Sequence, residues 1–305
     1  MTALNSLHRA VLPSITALAL LTSASQAQQA YPTPEDAVAA LAAAVKSGTK
    51  TAILKVLGNS AEDVVESGDE VADAETRQRF LSAYDARHSI KAEGNKKAVL
   101  ILGADDFPFP IPLVNSKSGW EFDTDQGRIE ILYRRIGRNE LDAIQTCLAF
   151  VDAENEYADK DRGDGAGVYA QRIVSTAGKK DGLFWRDDRD PSPLGELAAQ
   201  ASAEGYKVEG QGAPYHGYYF RILKGQGSDA PGGAFNYVVK GKMIGGFAMI
   251  AYPAEYGNSG VMTFLVNHAG TVNQKDLGNR TEAIARRVTL FDPDQTWKKV
   301  DAAKP

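Results

Sequence analysis

Hydrophobic residues in the first third of the chain recur at helical spacing. Thr33-Pro34-Glu35-Asp36 supplies a capping hydroxyl, a proline suited to the first turn and two acids at the positive end of the helix dipole. Val38, Leu41 and Val45 then fall on one face, which predicts an amphipathic helix. The same period predicts two more helices, at about 53–58 and 73–88.

The spacing then changes to that of strands. The run 97–102 is rich in valine, leucine and isoleucine, and a second run covers 111–114. Residues 119–123 alternate aromatic and acidic side chains, as expected of a half-buried strand. Segment 107–112 contains three prolines, which cannot donate to a strand ladder, so we predict a sheet edge or an extended loop there.

A long helical pattern follows over about 127–157, and it contains the only cysteine, Cys147, within its apolar stripe. Gly137 and Asn139 favour a break in this pattern, because asparagine can cap a new helix. We therefore predict a domain boundary here, with one domain over 28–137 and a second over 138–305. Cys147 is expected to be a buried structural thiol.

The C-terminal half is rich in glycine, and its apolar runs predict strands separated by turns. A helix is expected from Ser192 to Gly205, and a last amphipathic helix over about 281–290. The strands are predicted at 215–223, 235–239, 243–251, 261–266 and 271–275.

The first 27 residues have the layout of a signal peptide. Arg9 is the only charged residue other than histidine, an apolar stretch runs over 10–21, and small residues precede a cleavage position near Ala27. An apolar run of this length is too short to span a bilayer, which needs about 20 residues. We therefore expect residues 1–27 to be removed and the remaining chain to be released as a soluble protein in the periplasm or outside the cell.

Composition and charge narrow the classes of partner. Cleavage removes one of the 34 basic residues and none of the 39 acidic ones, so the net charge of −5 becomes −6. A mildly acidic protein is not expected to bind nucleic acid broadly, and no other segment has the length of a transmembrane helix. A single cysteine excludes an intramolecular disulfide.

Three passages indicate a family. They are Tyr31-Pro-Thr-Pro-Glu-Asp-Ala, Arg135-Ile-Gly-Arg-Asn-Glu-Leu and Gly246-Phe-Ala-Met-Ile-Ala-Tyr-Pro-Ala-Glu-Tyr-Gly. Through them the mature chain resembles a family of exported bacterial proteins known as domain of unknown function 2950. The resemblance implies export, but it implies no activity and no catalytic residues.

Each half also resembles a known type of domain. The helices and strands that end in Gly119-Trp120-Glu121-Phe122 are similar to NTF2-like, cone-shaped α+β domains. The helix over 143–158, followed by the strands around Tyr218, Ile250 and Phe264, is similar to the globular part of pilins and pseudopilins. Together they imply an α+β fold, with a long helix packed on a C-terminal antiparallel sheet.

Few residues are candidates for a ligand-binding, metal-binding or catalytic site. His216 and Tyr218 lie in a cluster of aromatic residues that is a candidate ligand site, although no carboxylate is spaced beside the histidine. Asp159, Asp161 and Asp164 lie in a glycine-containing loop that is a candidate calcium site, although the EF-hand positions for the fifth and twelfth ligands are not met. No two histidines have the spacing of metal ligands, and no other cofactor is expected.

Two functions remain open. We favour a non-enzymatic binding protein that interacts with an unknown periplasmic or envelope component. The alternative is a small-molecule enzyme or ligand carrier with a cavity in the NTF2-like half, lined by Tyr84, Trp120 and an acid such as Asp106 or Asp123. A pocket that contains an acid with a perturbed pKa would favour the enzyme, and an exposed apolar patch would favour the binding protein.

Overall fold

The computed structural model describes residues 28–187, 189–207 and 213–300, and the predicted signal peptide lies outside them. Helices and antiparallel sheets are both present, which confirms the α+β class. The buried side chains form two hydrophobic clusters. One contains buried residues from Tyr31 to Phe122, and the other contains buried residues from Ala143 to Phe291.

The N-terminal half begins with helices whose ends follow from local sequence. The Thr33 hydroxyl accepts a hydrogen bond from the Asp36 N–H at the start of the first helix, and Gly48 ends that helix in a left-handed conformation. The predicted third helix begins three residues early, at Glu70, because Asp69 caps it. The helices are α1 Pro34–Ser47, α2 Lys50–Leu57, α3 Glu62–Val65 and α4 Glu70–Ala86.

An antiparallel sheet follows these helices and covers their apolar face. Its strands are β1 His88–Ala92, β2 Lys97–Leu102, β3 Phe107–Pro108, β4 Leu113–Ser116 and β5 Gly119–Phe122, in the order β1-β2-β4-β5 with β3 also on β2. The proline-rich segment pairs through only two residues of β3, in agreement with the predicted edge or extended loop. Strand β1 was not predicted from the sequence.

The predicted break at Gly137 is wrong. Residues Thr124–Ala158 form one continuous helix, α5, of 35 residues. Asn139 does not cap a new helix, because its side chain donates to the Ser259 carbonyl at 2.9 Å. The helix therefore joins the two halves as one rigid element, and the position of the domain boundary stays a prediction.

The C-terminal half is an antiparallel sheet packed on α5, as predicted. Its elements are α6 Gly195–Ala203, β6 Tyr218–Leu223, β7 Gly225–Gln226, β8 Phe235–Asn236, β9 Val238–Val239, β10 Lys242–Met243, β11 Ala248–Pro253, β12 Met262–Asn267, β13 Asn273–Asp276, α7 Thr281–Ala285 and β14 Lys298–Lys299. The predicted strands at 235–239 and 243–251 are each divided in two. The strand order of the main sheet is β14-β13-β12-β11-β6, so β11 lies inside the sheet and β6 at its edge.

Cys147 lies in the C-terminal core, as predicted, with none of its surface exposed. Burial raises the pKa of its thiol to about 12, and the thiolate is the reactive form. We therefore expect native protein to react with a thiol reagent only at the rate of unfolding, and denatured protein to react at once. Prompt labelling under native conditions would contradict the core position.

Within the described ranges, no helix has both the length and the apolar character needed to cross a membrane.

Candidate functional site

The two halves meet at a tight turn that contains His216. His216 and Gly217 both have positive φ, at 47° and 75°. Tyr215 and Tyr218 exchange backbone hydrogen bonds of 2.9 and 3.0 Å around them. These features define a type I′ turn, in which glycine is favoured at the second position. The turn leads directly into β6 and holds the imidazole against α5.

Both nitrogens of the His216 ring bind carboxylates. Nδ1 lies 2.8 Å from Asp142 of α5, and Nε2 lies 2.7 Å from Glu204 at the end of α6. Burial lowers the pKa of His216, but the two carboxylates outweigh this effect and raise the pKa to about 9. The ring is therefore an imidazolium at neutral pH, which ties α5, α6 and the turn together.

The raised pKa predicts a pH-dependent stability. Because the folded pKa exceeds the ordinary value of 6.5, the stabilisation is complete below about pH 6.5 and is lost as the pH rises through about 9. We expect wild-type protein to lose roughly 2–3 kcal/mol of unfolding free energy between pH 6 and 9 relative to His216→Gln. Urea unfolding at several pH values measures this difference, and parallel profiles would contradict the ion pairs.

Asp69 joins the turn to the N-terminal half. One carboxylate oxygen caps α4 by accepting hydrogen bonds from the N–H groups of Val71 and Ala72. The other accepts from the Tyr206 hydroxyl at 2.9 Å and from the Gly217 N–H at 2.8 Å. The side chain is buried, and all four donors converge on one residue.

Arg135 makes a second connection between the halves. Its guanidinium donates to the carbonyls of Asp63 and Val64 and to the side chain of Asn258. Asn258 in turn donates to the Glu66 carbonyl at 2.8 Å. These polar contacts link residues 63–66 of the N-terminal half to α5 and to Asn258 of the C-terminal half.

A groove of about 820 Å³ adjoins this junction in the C-terminal half. We call it the β6 groove. Strand β6 forms one wall, and residues 168–174 together with α6 form the other. Tyr206 and Tyr215 lie at the junction end, with ring centroids 4.9 Å apart, and the Tyr215 ring lies 4.2 Å from that of His216. The volume is in the range of ligand-binding cavities.

The lining of the β6 groove is aromatic and moderately basic. Four basic and two acidic residues line it: Arg172, Lys207, Arg221, Lys224, Asp164 and Asp181. The pKa of Asp181 is low, because hydrogen bonds from Thr176 outweigh its burial. The pKa of Glu154 is raised strongly by burial, but this residue has no exposed surface and is not part of the lining. The carboxyl of Glu154 is therefore not an acid of the groove.

The predicted ligand residues do not share one site. Tyr218 is fully buried and donates its hydroxyl to the Met262 carbonyl. Tyr84 stacks on His88 at 3.8 Å, and Trp120 pairs with Tyr31, both in the N-terminal half. None of these, nor His216 itself, lines the β6 groove.

The two acids of the alternative cavity are used elsewhere. Asp106 forms an ion pair with Arg87, and Asp123 caps α5 through the Gln126 N–H.

In the acidic loop after α5, the carboxylates of Asp161 and Asp164 interact with other groups of the protein. Asp161 accepts hydrogen bonds of 2.8 Å from the N–H groups of Gly163 and Gly165, which lower its pKa. Asp164 lies 4.0 Å from Lys242, and Asp159 ends the helix. Within the described part of the chain, no three histidine, cysteine or acidic side chains form a group that could hold a metal. Calcium binding by this loop stays a prediction.

Calcium is expected to change the melting temperature of the protein little or not at all, because the Asp161 carboxylate already accepts hydrogen bonds from two backbone N–H groups of the loop. Thermal unfolding with millimolar calcium and with excess chelator measures the effect, since a ligand stabilises only the state it binds. A rise of several degrees that disappears in Asp161→Ala would contradict this expectation.

Sequence inspection found His216 but missed its partners. Asp142 and Glu204 lie 74 and 12 residues away along the chain, and Asp69 lies 148 residues from Gly217. The only local signal was the capping position of Asp69, which precedes a helix.

The fold and site define an α+β protein with two cores joined by a 35-residue helix, a polar junction and an adjoining groove. The chain belongs to the family described as "Protein of unknown function (DUF2950)", whose model matches residues 28–300. This match confirms the family predicted from the three sequence passages. No curated protein and no solved structure matches the chain.

Proposed function

We propose that this chain is a non-enzymatic binding protein of the bacterial periplasm or envelope, and that its ligand occupies the β6 groove. The observation that carries the proposal is a groove of about 820 Å³ with an aromatic, net basic lining. Aromatic rings provide apolar contact area at a small entropic cost, and the basic residues favour an anionic ligand.

The state of His216 supports binding over catalysis. A general base needs a free nitrogen and a pKa near the working pH. Both nitrogens of His216 bind carboxylates, and its pKa is about 9. Cys147 is buried and protonated, so it does not supply a nucleophile.

Export and location belong to the same proposal. The family match begins at residue 28, next to the cleavage position predicted near Ala27. Mass spectrometry of protein from a periplasmic fraction is expected to show an N-terminus at or near Gln28. Intact Met1 in a membrane fraction would contradict export.

The domain resemblances are proposals as well. A long helix packed on an antiparallel sheet supports a pilin-like C-terminal half. Helices packed on the sheet β1–β5 support an NTF2-like N-terminal half.

The proposed site can be tested with an anionic aromatic dye, anilinonaphthalene sulfonate. We expect the dye to bind wild-type protein and to bind Leu197→Trp at least about tenfold more weakly, because the larger ring fills the groove from α6. The competing site is an exposed apolar stripe on α5, formed by Ile129, Tyr133 and Leu141. Tyr133→Ala is therefore the matched control.

The two variants give opposite outcomes for the two sites. Loss of dye fluorescence in Leu197→Trp alone supports the groove. Loss in Tyr133→Ala alone assigns the dye to the stripe and contradicts the proposal. Thermal unfolding of both variants checks that each one folds.

A further inference from the structure

Strand β6 has an open edge in its middle. It is the last strand of its sheet. Its two end residues, Tyr218 and Leu223, are buried, while the four residues between them are partly exposed. Proteins usually cover or shorten such edges, because unpaired backbone groups bind other strands.

The hydrogen bonds at its ends show which backbone groups face outward. Tyr218 exchanges both backbone bonds with Tyr215, so its N–H and C=O point away from β11. Because the direction of the backbone N–H and C=O groups alternates along a strand, these groups of Phe220 and Ile222 also point to the open edge. Lys224 closes the far end, where its carbonyl accepts from the Tyr237 N–H at 3.0 Å. Among the described residues, none supplies a backbone partner to Phe220 or Ile222 on this side.

The β6 groove runs along this open edge. Phe220 and Ile222 lie opposite Ala251 and Met249 on the face toward α5, and Tyr219 lies opposite Tyr252 on the other face. The groove is lined from both faces of the strand, so its space extends around the edge. The stretch from Tyr218 to Lys224 is about 20 Å long at ~3.3 Å per residue.

We propose that the β6 groove binds an extended peptide segment, which adds to β6 as a further strand through the backbone of Phe220 and Ile222. This inference rests on the proposed function, because it identifies the ligand of that groove. Backbone bonds supply affinity in this mode, and pockets for alternate side chains supply specificity. Apolar side chains fit the face with Phe220 and Ile222, and acidic ones complement the net basic lining.

Amide hydrogen exchange followed by NMR tests the pairing residue by residue. In the free protein, the N–H groups of Phe220 and Ile222 are expected to exchange about 100-fold faster than those of Tyr219 and Arg221, which bond to β11. The probe is a heptapeptide that alternates valine with glutamate. Its binding is expected to slow exchange at Phe220 and Ile222 about tenfold or more, with Tyr219 and Arg221 unchanged.

Backbone-methylated probes provide a matched control. One heptapeptide carries N-methyl groups on its valines only, and the other on its glutamates only. Since every second N–H of an added strand faces its partner, one of the two is expected to bind at least about tenfold more weakly than the other. Replacing the glutamates with lysines is expected to weaken binding as well, through the basic lining.

Several outcomes would overturn the inference. Slow exchange at Phe220 and Ile222 in the free protein means that the edge is already paired within the chain. Peptide binding without protection of these amides places the peptide elsewhere. Absence of binding at about 1 mM peptide also contradicts the inference, because a dissociation constant above this value corresponds to very weak binding. The dye experiment separates this inference from the proposed function. If Leu197→Trp still weakens dye binding while any of these outcomes is found, the groove remains the proposed ligand site and only a peptide ligand is excluded.

Discussion

Replacing Asp69 with alanine is expected to lower the free energy of unfolding by about 4 kcal/mol. The change removes the cap of α4, which contributes about 1 kcal/mol. It also leaves the Tyr206 hydroxyl and the Gly217 N–H without their acceptor, and each such loss costs about 1–3 kcal/mol. For a chain of this size the melting temperature is expected to fall by about 10 °C. Urea unfolding measures the loss.

Asp123→Ala is the matched control for this prediction. Asp123 also caps a helix, through a 3.2 Å bond from the Gln126 N–H, but it makes no contact with the turn at His216. We expect its loss to cost about 1 kcal/mol. Equal losses in the two variants would show that the contacts of Asp69 to the C-terminal half add nothing to stability.

Gly127→Ala is expected to destabilise the protein by about 3 kcal/mol, although alanine normally favours a helix. A Cβ at this position would lie 2.5 Å from the Pro110 carbonyl oxygen and 2.7 Å from the Ile111 Cα. Both are backbone atoms, so they cannot move aside as a flexible side chain can, and overpacking has this order of cost. Thermal and urea unfolding measure the effect.

Gly137→Ala in the same helix supplies the comparison. Apart from the backbone of α5 itself, no described atom lies within 4 Å of a Cβ built at this position, so the substitution is expected to stabilise the protein by about 0.5–1 kcal/mol. Destabilisation here would contradict a continuous α5. Stabilisation by both substitutions would contradict the close contact of its first turn with Pro110.

Local features of the sequence predicted local structure well. The cap at Thr33 and the glycine at position 48 set the ends of α1, because their partners lie within four residues. Strand β2 followed from its apolar run with the predicted bounds. Strand β1 was missed because its side chains are mostly exposed and it is held by pairing with β2. No period in its own residues indicates that partner.

Glycine and asparagine in α5 show why a local signal can mislead. Gly137 and Asn139 together favour a helix break, yet the helix continues. Arg135 and Asn139 each bind backbone carbonyls of other segments, and these contacts hold the helix on both sides of the glycine. Tertiary contacts therefore outweigh a propensity cost of about 1 kcal/mol.

The sequence by itself determined most of the helical and strand segments, the buried place of Cys147 and the antiparallel character of the C-terminal half. These depend largely on side-chain period, capping and turns, which act between near neighbours. Three sequence passages also indicated the family. Only the tertiary structure decided the surroundings of His216, the role of Asp69 and the position of the groove. Their partners lie up to 148 residues apart, and such pairs leave no periodic trace in the chain. A hydrogen bond between them forms only where packing of the two cores brings the atoms within about 3 Å.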